Sequence, residues 1–581
     1  MKNNFIICVF FIFAFVWLAF GINWGLMSEN RKQLIENGIK DKINYYDGMI
    51  KERETKFARY SKDGYLFSGW GKEIKEKTTG IPPKFQEIDY SRQINIDRFY
   101  NLIRPFYLRS YHQDEQQAIQ PITNMNPRQL NFNPKHFIYG GAYIYPTAVT
   151  LGIFNIAGFF KVQKDLSYYF ENPDEMAKMY ISGRLLIVVS IFFQVIILFF
   201  LCKKFSNGSF AFFLCLAYLV SPFITANKNL MKPHLYAQIF NFLMIITIYK
   251  MSFFKTIKIK FLIIAGFFIG FAAGSNLWNA ILYLLPAVVI LFSNNSFVKK
   301  LKFWIILGIS IIFGFILANP YIIVDLKNFY YEMIFITFYA KESNPSIYNA
   351  IFSSFPKYLT LMILTLIICY KILISKISII KSSQNAALII SSSIFIFLYF
   401  IYLFIIRLGD RYAVYYFPTV YPYIFILPAL LYEFFSINQK KFMKIILILT
   451  VIFNLFISIQ FQMDYYMDSN KSSHRIAAGD WINNNIPPNT VLGLIDSQPQ
   501  DIPSFSFANY RIFIYPSQYS DSIDVSECNY IICSDYADRM EWVNRLVASG
   551  KYKIIKIFKS ERLYYKLWGQ YNTPIYALQK I

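Results

Sequence analysis

Histidine and cysteine are scarce in this 581-residue chain, which has four of the first and six of the second. The cysteines (Cys8, Cys202, Cys215, Cys369, Cys528 and Cys533) are scattered, and the first four lie in or beside hydrophobic runs. No zinc spacing is present, and a disulfide framework is disfavoured. Cys528 and Cys533 flank an expected strand, NYIICSD, which holds them apart. The histidines, His112, His136, His234 and His474, show no H-x-x-x-H spacing. His112 with Asp114, Glu115 or His136 is the one conceivable metal group, and a hydrogen-bonding role ranks above ligation. Acids are also in deficit, with 35 Asp and Glu against 58 Lys and Arg, a net charge of +23. That charge is not gathered on one soluble domain, so nucleic acid is not an expected partner. No internal repeat at a fixed period is visible, which weakens a transporter reading, since many transporters are built from repeats.

Apolar residues are abundant: the chain is 55% hydrophobic and 19% aromatic. Repeated apolar runs of about 18 residues or more predict transmembrane helices. Residues 5–25 form the first, and no A-x-A-like cleavage site follows it. Further spans are expected at 184–202, 209–226, 234–250, 261–275, 277–294, 303–319, 355–371, 384–406, 412–433 and 444–462, eleven in all with the first. The lysines fall in alternate loops: Lys203 and Lys204; Lys250, Lys255, Lys258 and Lys260; Lys299, Lys300 and Lys302; Lys371, Lys376 and Lys381; Lys440, Lys441 and Lys444. Only one acid, Glu433, lies near them, so these loops are expected in the cytoplasm by the positive-inside rule. The expected organisation is a first helix (1–26), a large extracytoplasmic loop (27–183), a transmembrane bundle (184–462) and a small extracytoplasmic α/β domain (463–581). Residues 141–160, interrupted by Gly140, Gly141 and Pro146, are expected to lie along the outer interface. In the last domain, HRIAAGDWINNNIPPNT predicts a helix closed by Pro487 and Pro488. VLGLID, YRIFIYP, NYIICSD, YKIIKIF and IYALQKI predict strands, with ADRMEWVNRLVASG as a helix between the third and fourth.

The candidate chemistry sits in a polar stretch, residues 112–146, that opens with Asp114 and Glu115. A carboxylate can take the proton of a hydroxyl as that hydroxyl attacks a carbon. Asp also favours helix starts, so capping competes with catalysis as the reason for the pair. Cations at the same expected membrane face are Arg184, Lys228, Lys232, Arg407 and Arg411. They could bind a lipid phosphate or snorkel to headgroups. Arg411 stands out because Asp410 could orient its guanidinium. NPYIIVD (319–325) ends a span at Pro320.

An ordered series of motifs resembles the protein-mannosyltransferase-like GT-C glycosyltransferases, family 39 and its relatives. They are YHQDEQ (111–116), FNPKHFIYGGAYIYP (132–146), SGRLLIVVS (182–190), GFFIGFAAGSN (266–276), NPYIIVD, GDRYAVYYFPTVYP (409–422) and AAGDWINNNIPPNT (477–490). The chain departs from the family pattern at LMKPHLYA (230–237) and at Asn276. The resemblance implies transfer of a sugar from a polyprenyl-phosphate carrier to an acceptor (lipid, glycan or protein) on the outer face, and the mechanism expected for it is an inverting one. In that mechanism Asp114 would be the base, and Glu115 would orient the acceptor or assist a cation. Arg184, Lys228, Lys232, His234, Arg411, Tyr412 and Tyr139 would be the substrate-binding set. No cofactor is expected, with a divalent cation as an option. The expected location is the bacterial plasma membrane, among its lipids, with the active site facing outward. A flippase for a lipid-linked sugar and an oligosaccharide polymerase or ligase are the competing readings. A flippase would want charges at mid-membrane, whereas here they collect at helix ends.

Overall fold

The computed structural model describes residues 2–60, 72, 96–251, 257–342, 385–405, 410–468, 473–495, 498–515, 525–534, 539–559 and 573–581. The expected span at 355–371 lies outside these residues. The chain divides into two compact units. One comprises Met1–Ala19, Pro121–Val149 and Leu185–Ile459; the other comprises Phe20–Gln120, Thr150–Arg184 and Gln460–Ile581.

The first unit is helical. Among the described residues, three helices are long and apolar enough to cross a membrane: Pro173–Phe205, Phe297–Ala318 and Ile437–Met467. Phe5–Ala19, Gly208–Leu219, Ile259–Ser275, Leu277–Phe292 and Ala386–Tyr399 are apolar but shorter. Several expected spans have different bounds. The helix carrying 184–202 begins earlier, at Pro173, with Asp174 and Glu175 in its first turn, where acids suit the positive end of the helix dipole. The run at 209–226 is two helices, Gly208–Leu219 and Pro222–Asn227. Ser221 breaks it by capping the second helix through Ile224 N–H, and Pro222 supplies the fixed φ of a first helical position. The run at 277–294 starts as a 3-10 turn, Leu277–Tyr283, before the helix Leu284–Phe292. Residues 141–160 give one helix, Gly141–Ile156.

The glycine-rich motif has a packing reason. Gly266 and Gly270 lie one turn apart on the helix Ile259–Ser275, which packs against Phe297–Ala318. A Cβ on Gly270 would stand 2.5 Å from both Ile311 O and Phe315 N. Only a residue without a side chain lets the two backbones meet there, as small residues do in membrane helix pairs.

The second unit is α/β. Five strands, β1 (Val491–Ile495), β2 (Arg511–Tyr515), β3 (Tyr530–Ser534), β4 (Tyr552–Phe558) and β5 (Ile575–Lys580), form one sheet in the order β2-β1-β3-β5-β4. β1 pairs in parallel with β2 and β3, while β5 runs antiparallel to β3 and β4. One face packs Leu492, Leu494 and Ile532 against Ile35, Met49, Ile103 and Phe106, from helices in the loop that follows the first apolar run. The other face buries Phe513, Ile531 and Leu578 with Val543 of the helix Arg539–Ala548. The 27–183 loop and the C-terminal segment, expected from sequence as separate domains, both contribute residues to this core. Polar contacts reinforce it: Asn483 Nδ2 donates to Leu34 O at 3.1 Å, and Arg31 Nε to Ser504 Oγ at 3.1 Å. Cys533 lies within β3 rather than beyond it, and both it and Cys528 are free thiols.

Candidate active site

The acidic motif opens on a backbone tie. Tyr111 N–H donates to Gly25 O at 2.8 Å. Gly25 has φ +63°, and a Cβ there would lie 2.8 Å from the Tyr111 ring, so glycine is needed on both counts. The Tyr111 ring itself is held between two buried guanidinium groups, Arg31 and Arg475, each 4.8 Å from the ring centroid. Neither arginine was singled out from sequence, and Tyr111 only as the first residue of YHQDEQ. Their positions, 31, 111 and 475, carry no shared local pattern.

From Tyr111 the chain turns into a 3-10 helix, Gln113–Glu115. Ser110 Oγ donates to Glu115 Oε2, and Glu115 N–H donates to His112 O at 3.1 Å. Asp114 N–H donates to His112 Nδ1 at 3.3 Å, so the neutral ring of His112 carries its proton on Nε2. Asp114 is half-buried, with Gln117 Nε2 3.4 Å from Oδ1.

The two acids of the motif have different surroundings. Glu115 is fully buried and forms a two-pronged pair with Arg184, itself fully buried: Nε to Oε1 at 2.8 Å and Nη2 to Oε2 at 2.6 Å. Arg184 Nη1 donates to Ile22 O and Trp24 O, both at 2.7 Å. Parallel N–H···O bonds of this kind are the strongest and most directional that side chains make. The arginine is thereby bound to a carboxylate and to the turn that follows the first helix. Glu115 is bound to an arginine and a serine.

The other expected site residues lie in the helical unit. Lys228 is fully buried, and its Nζ donates to Leu18 O at 2.9 Å. Lys232 is buried at the start of the helix Pro233–Lys250. His234 stands in that helix's first turn, with Nδ1 2.7 Å from Asn276 Nδ2. The two places where the chain departs from the family pattern, LMKPHLYA and Asn276, therefore touch. Tyr139 stacks edge-on to His234 and to His136, with centroid distances of 6.3 and 6.1 Å. Arg411 and Tyr412 fall in the first turn of the helix Asp410–Leu430, and their side chains lie outside the described residues, as does Arg407. Among the described residues, no three of His, Cys, Asp and Glu gather as a metal ion would need.

One acid escaped the sequence reading. Glu332, on the helix Leu326–Glu342, is fully buried and accepts the Phe137 N–H at 2.7 Å. It fastens the 131–138 segment together with Tyr321, whose hydroxyl accepts the Phe132 N–H at 3.0 Å, and Asp325, which accepts from Asn133 Nδ2. His136 Nδ1 lies 3.7 Å from Glu332 Oε2, within ion-pair range. Burial decides against an ion pair, pushing the carboxyl up to about 8 and the imidazole down to about 3. Both groups are then neutral at pH 7.

A pH dependence follows. Between 4.5, the ordinary carboxyl value, and about 8, folded Glu332 keeps a proton that the unfolded chain has lost, so its contribution falls as pH rises. His136 works oppositely between about 3 and 6.5, where only the unfolded chain is protonated. The two oppose each other between 4.5 and 6.5, leaving a net loss on the order of 2 kcal/mol between pH 6.5 and 8. Thermal unfolding in detergent should show that loss in the wild type and not in Glu332→Gln. An equal slope in the variant would place the proton elsewhere.

No family model matches the chain, and no curated protein does. Solved structures resemble it in part. ArnT from Cupriavidus metallidurans bound to undecaprenyl phosphate aligns over 76% of this chain and 88% of its own, at 10% identity and a TM-score of 0.41. The apo state of that protein aligns over the same shares at 9% identity and a TM-score of 0.37. The Archaeoglobus fulgidus oligosaccharyltransferase, in complex with zinc and sulfate, aligns over 68% of this chain and 59% of its own, at 13% identity and a TM-score of 0.33. The likeness is one of partial overlap at low identity. At these identities and scores it carries no argument about chemistry, which must come from the chain's own residues.

Proposed function

We propose that this chain is an integral-membrane glycosyltransferase. It moves a sugar from a polyprenyl-phosphate carrier to an acceptor hydroxyl at the outer membrane face, with Asp114 as general base. The observation that carries this reading is the division of the acidic pair. Glu115 is buried on Arg184, while Asp114, on the same short turn, is half-buried and adjoins a histidine. The buried pair fixes the turn, and a fixed turn can present a carboxylate in one orientation. The ordered motifs from YHQDEQ to AAGDWINNNIPPNT support the reaction class.

In this reaction the acceptor hydroxyl gives its proton to Asp114 as its oxygen bonds to the anomeric carbon. The bond from that carbon to the phosphate oxygen breaks, and polyprenyl phosphate leaves with the electron pair. Configuration inverts. Lys232, Lys228 and Arg411 are the candidates to stabilise the phosphate, with Tyr139, His234 and Tyr412 lining the donor. Arg184 acts from behind, as the residue that positions the motif, because its hydrogen bonds already go to Glu115, Ile22 and Trp24.

The test is an assay of the purified, lipid-reconstituted protein with a panel of labelled polyprenyl-phosphate sugars, reading free polyprenyl phosphate and the fate of the label. Transfer or slow hydrolysis of one donor is expected. Movement of intact lipid-linked sugar between leaflets, without cleavage, would replace this reading with a flippase.

A further inference from the structure

Ten apolar side chains in the helical unit line an open groove of about 370 Å³. Its walls come from three helices. Phe5 and Val9 lie on Lys2–Ala19, Phe212 and Leu216 on Gly208–Leu219, and Val451 and Leu455 on Ile437–Asp468. No polar residue lines it. The volume falls in the range of small-molecule sites, and its form is a concavity rather than a flat lipid-facing surface.

Lysines crowd one end. Lys444, Val451 and Leu455 are spaced i, i+7 and i+11, which at 3.6 residues per turn puts them within roughly 20° of one face. Lys444 therefore heads the same face that forms the groove wall, about 10 Å along the axis from Val451 at 1.5 Å per residue. Its Nζ is 5.8 Å from the ring centroid of Phe213, next to Phe212 of the opposite wall. Lys440 sits one turn earlier, over the Tyr432 ring at 4.8 Å, and Lys441 beside it is exposed. Lys444 is itself exposed. Basic residues close to an apolar slot at a helix end match a molecule with an anionic head and a hydrocarbon tail.

We propose that this is a binding site for an anionic phospholipid, with one acyl chain in the groove and the phosphate at Lys444, Lys440 and Lys441. The occupant is a bilayer lipid and not the sugar donor, and the site does not depend on the transferase reading. A chain held there fills the space between the first helix and the two helices behind it, so the lipid acts as part of the packing of the bundle.

The experiment is native mass spectrometry of the full-length protein in detergent, offered equal amounts of phosphatidylglycerol and phosphatidylcholine, with thermal unfolding run alongside. The wild type should retain phosphatidylglycerol preferentially, and added phosphatidylglycerol should raise its melting temperature. Lys444→Glu should reduce the preference by about fivefold or more. Val9→Trp, at a half-exposed position on the groove wall, should lower retention of the lipid without unfolding the protein. Equal retention of both lipids by the wild type would reduce the site to ordinary bilayer contact and overturn the proposal. So would an unchanged preference in Lys444→Glu, or full retention in a folded Val9→Trp protein. A co-purified polyprenyl phosphate that phosphatidylglycerol does not displace would give the groove to the carrier instead. A lipid-free dimer would give it to a second copy of the chain.

Discussion

Replacing Asp114 with Asn should lower sugar transfer by about 10²–10⁴-fold, the usual contribution of a positioned general base. The substitution keeps the size of the side chain and the neutral backbone contact to His112 Nδ1. It also leaves the neighbouring Glu115–Arg184 pair intact. Folding and membrane insertion should therefore be unchanged, with stability within about 0.5 kcal/mol of the wild type, as for most partly exposed positions. Donor binding should survive, so the loss should fall on kcat rather than on KM. Single-turnover transfer with the labelled donor, beside a thermal unfolding curve, separates these quantities. Full activity in Asp114→Asn would remove it as the base.

Glu115→Ala should show the opposite pattern: a large loss of stability, with activity falling because the turn no longer holds. The change strands a fully buried guanidinium, and breaking a buried pair by removing one partner costs about 3–5 kcal/mol. Glu115→Gln should cost less, since an amide oxygen can still accept from Arg184. The double replacement Glu115→Leu with Arg184→Met should cost less than the two single changes added together, because it leaves no charge buried alone. The readout is thermal unfolding in detergent at fixed lipid content. A Glu115→Ala protein as stable as the wild type would refute the structural role. The two neighbouring acids are thus distinguishable by one pair of measurements, turnover for Asp114 and melting for Glu115.

The family resemblance sets Asp114 above Glu115 as the base, but nothing local in the sequence places Glu115 on a buried partner. Asp114 and Glu115 are adjacent, and both suit a helix start or a catalytic role. What separates them is an arginine 69 positions away whose fork reaches one and not the other. The sheet was far more legible. All five strands fall within the runs expected for them, because alternation and branched residues are local signals bounded by turns. The helix His474–Asn485 ends just before Pro487 and Pro488, as proline requires. The core that joins residues 35–49 and 102–107 to the sheet was not legible, since apolar periodicity gives a face and not its partner. The break at Ser221 was visible in the letters SP, but a long apolar run hid it: hydropathy averages over a residue pair that the backbone obeys individually. Glu332 was missed because an acid in an aromatic-rich helix has no pattern of its own until the 131–138 segment packs onto it.

The sheet order sets a schedule for synthesis. β5, at Ile575–Lys580, lies between β3 and β4 instead of at an edge. Neither neighbour has its full set of backbone partners until the ribosome has made those residues. The sheet's face also covers Ile35, Met49 and Phe106, which leave the ribosome several hundred residues earlier. These side chains must wait through the insertion of the whole helical bundle for their cover. A nascent chain of this kind exposes apolar surface throughout translation, the condition under which chaperones are needed. It also means that a chain stopped short of β5 would carry the acidic motif on an unfinished unit.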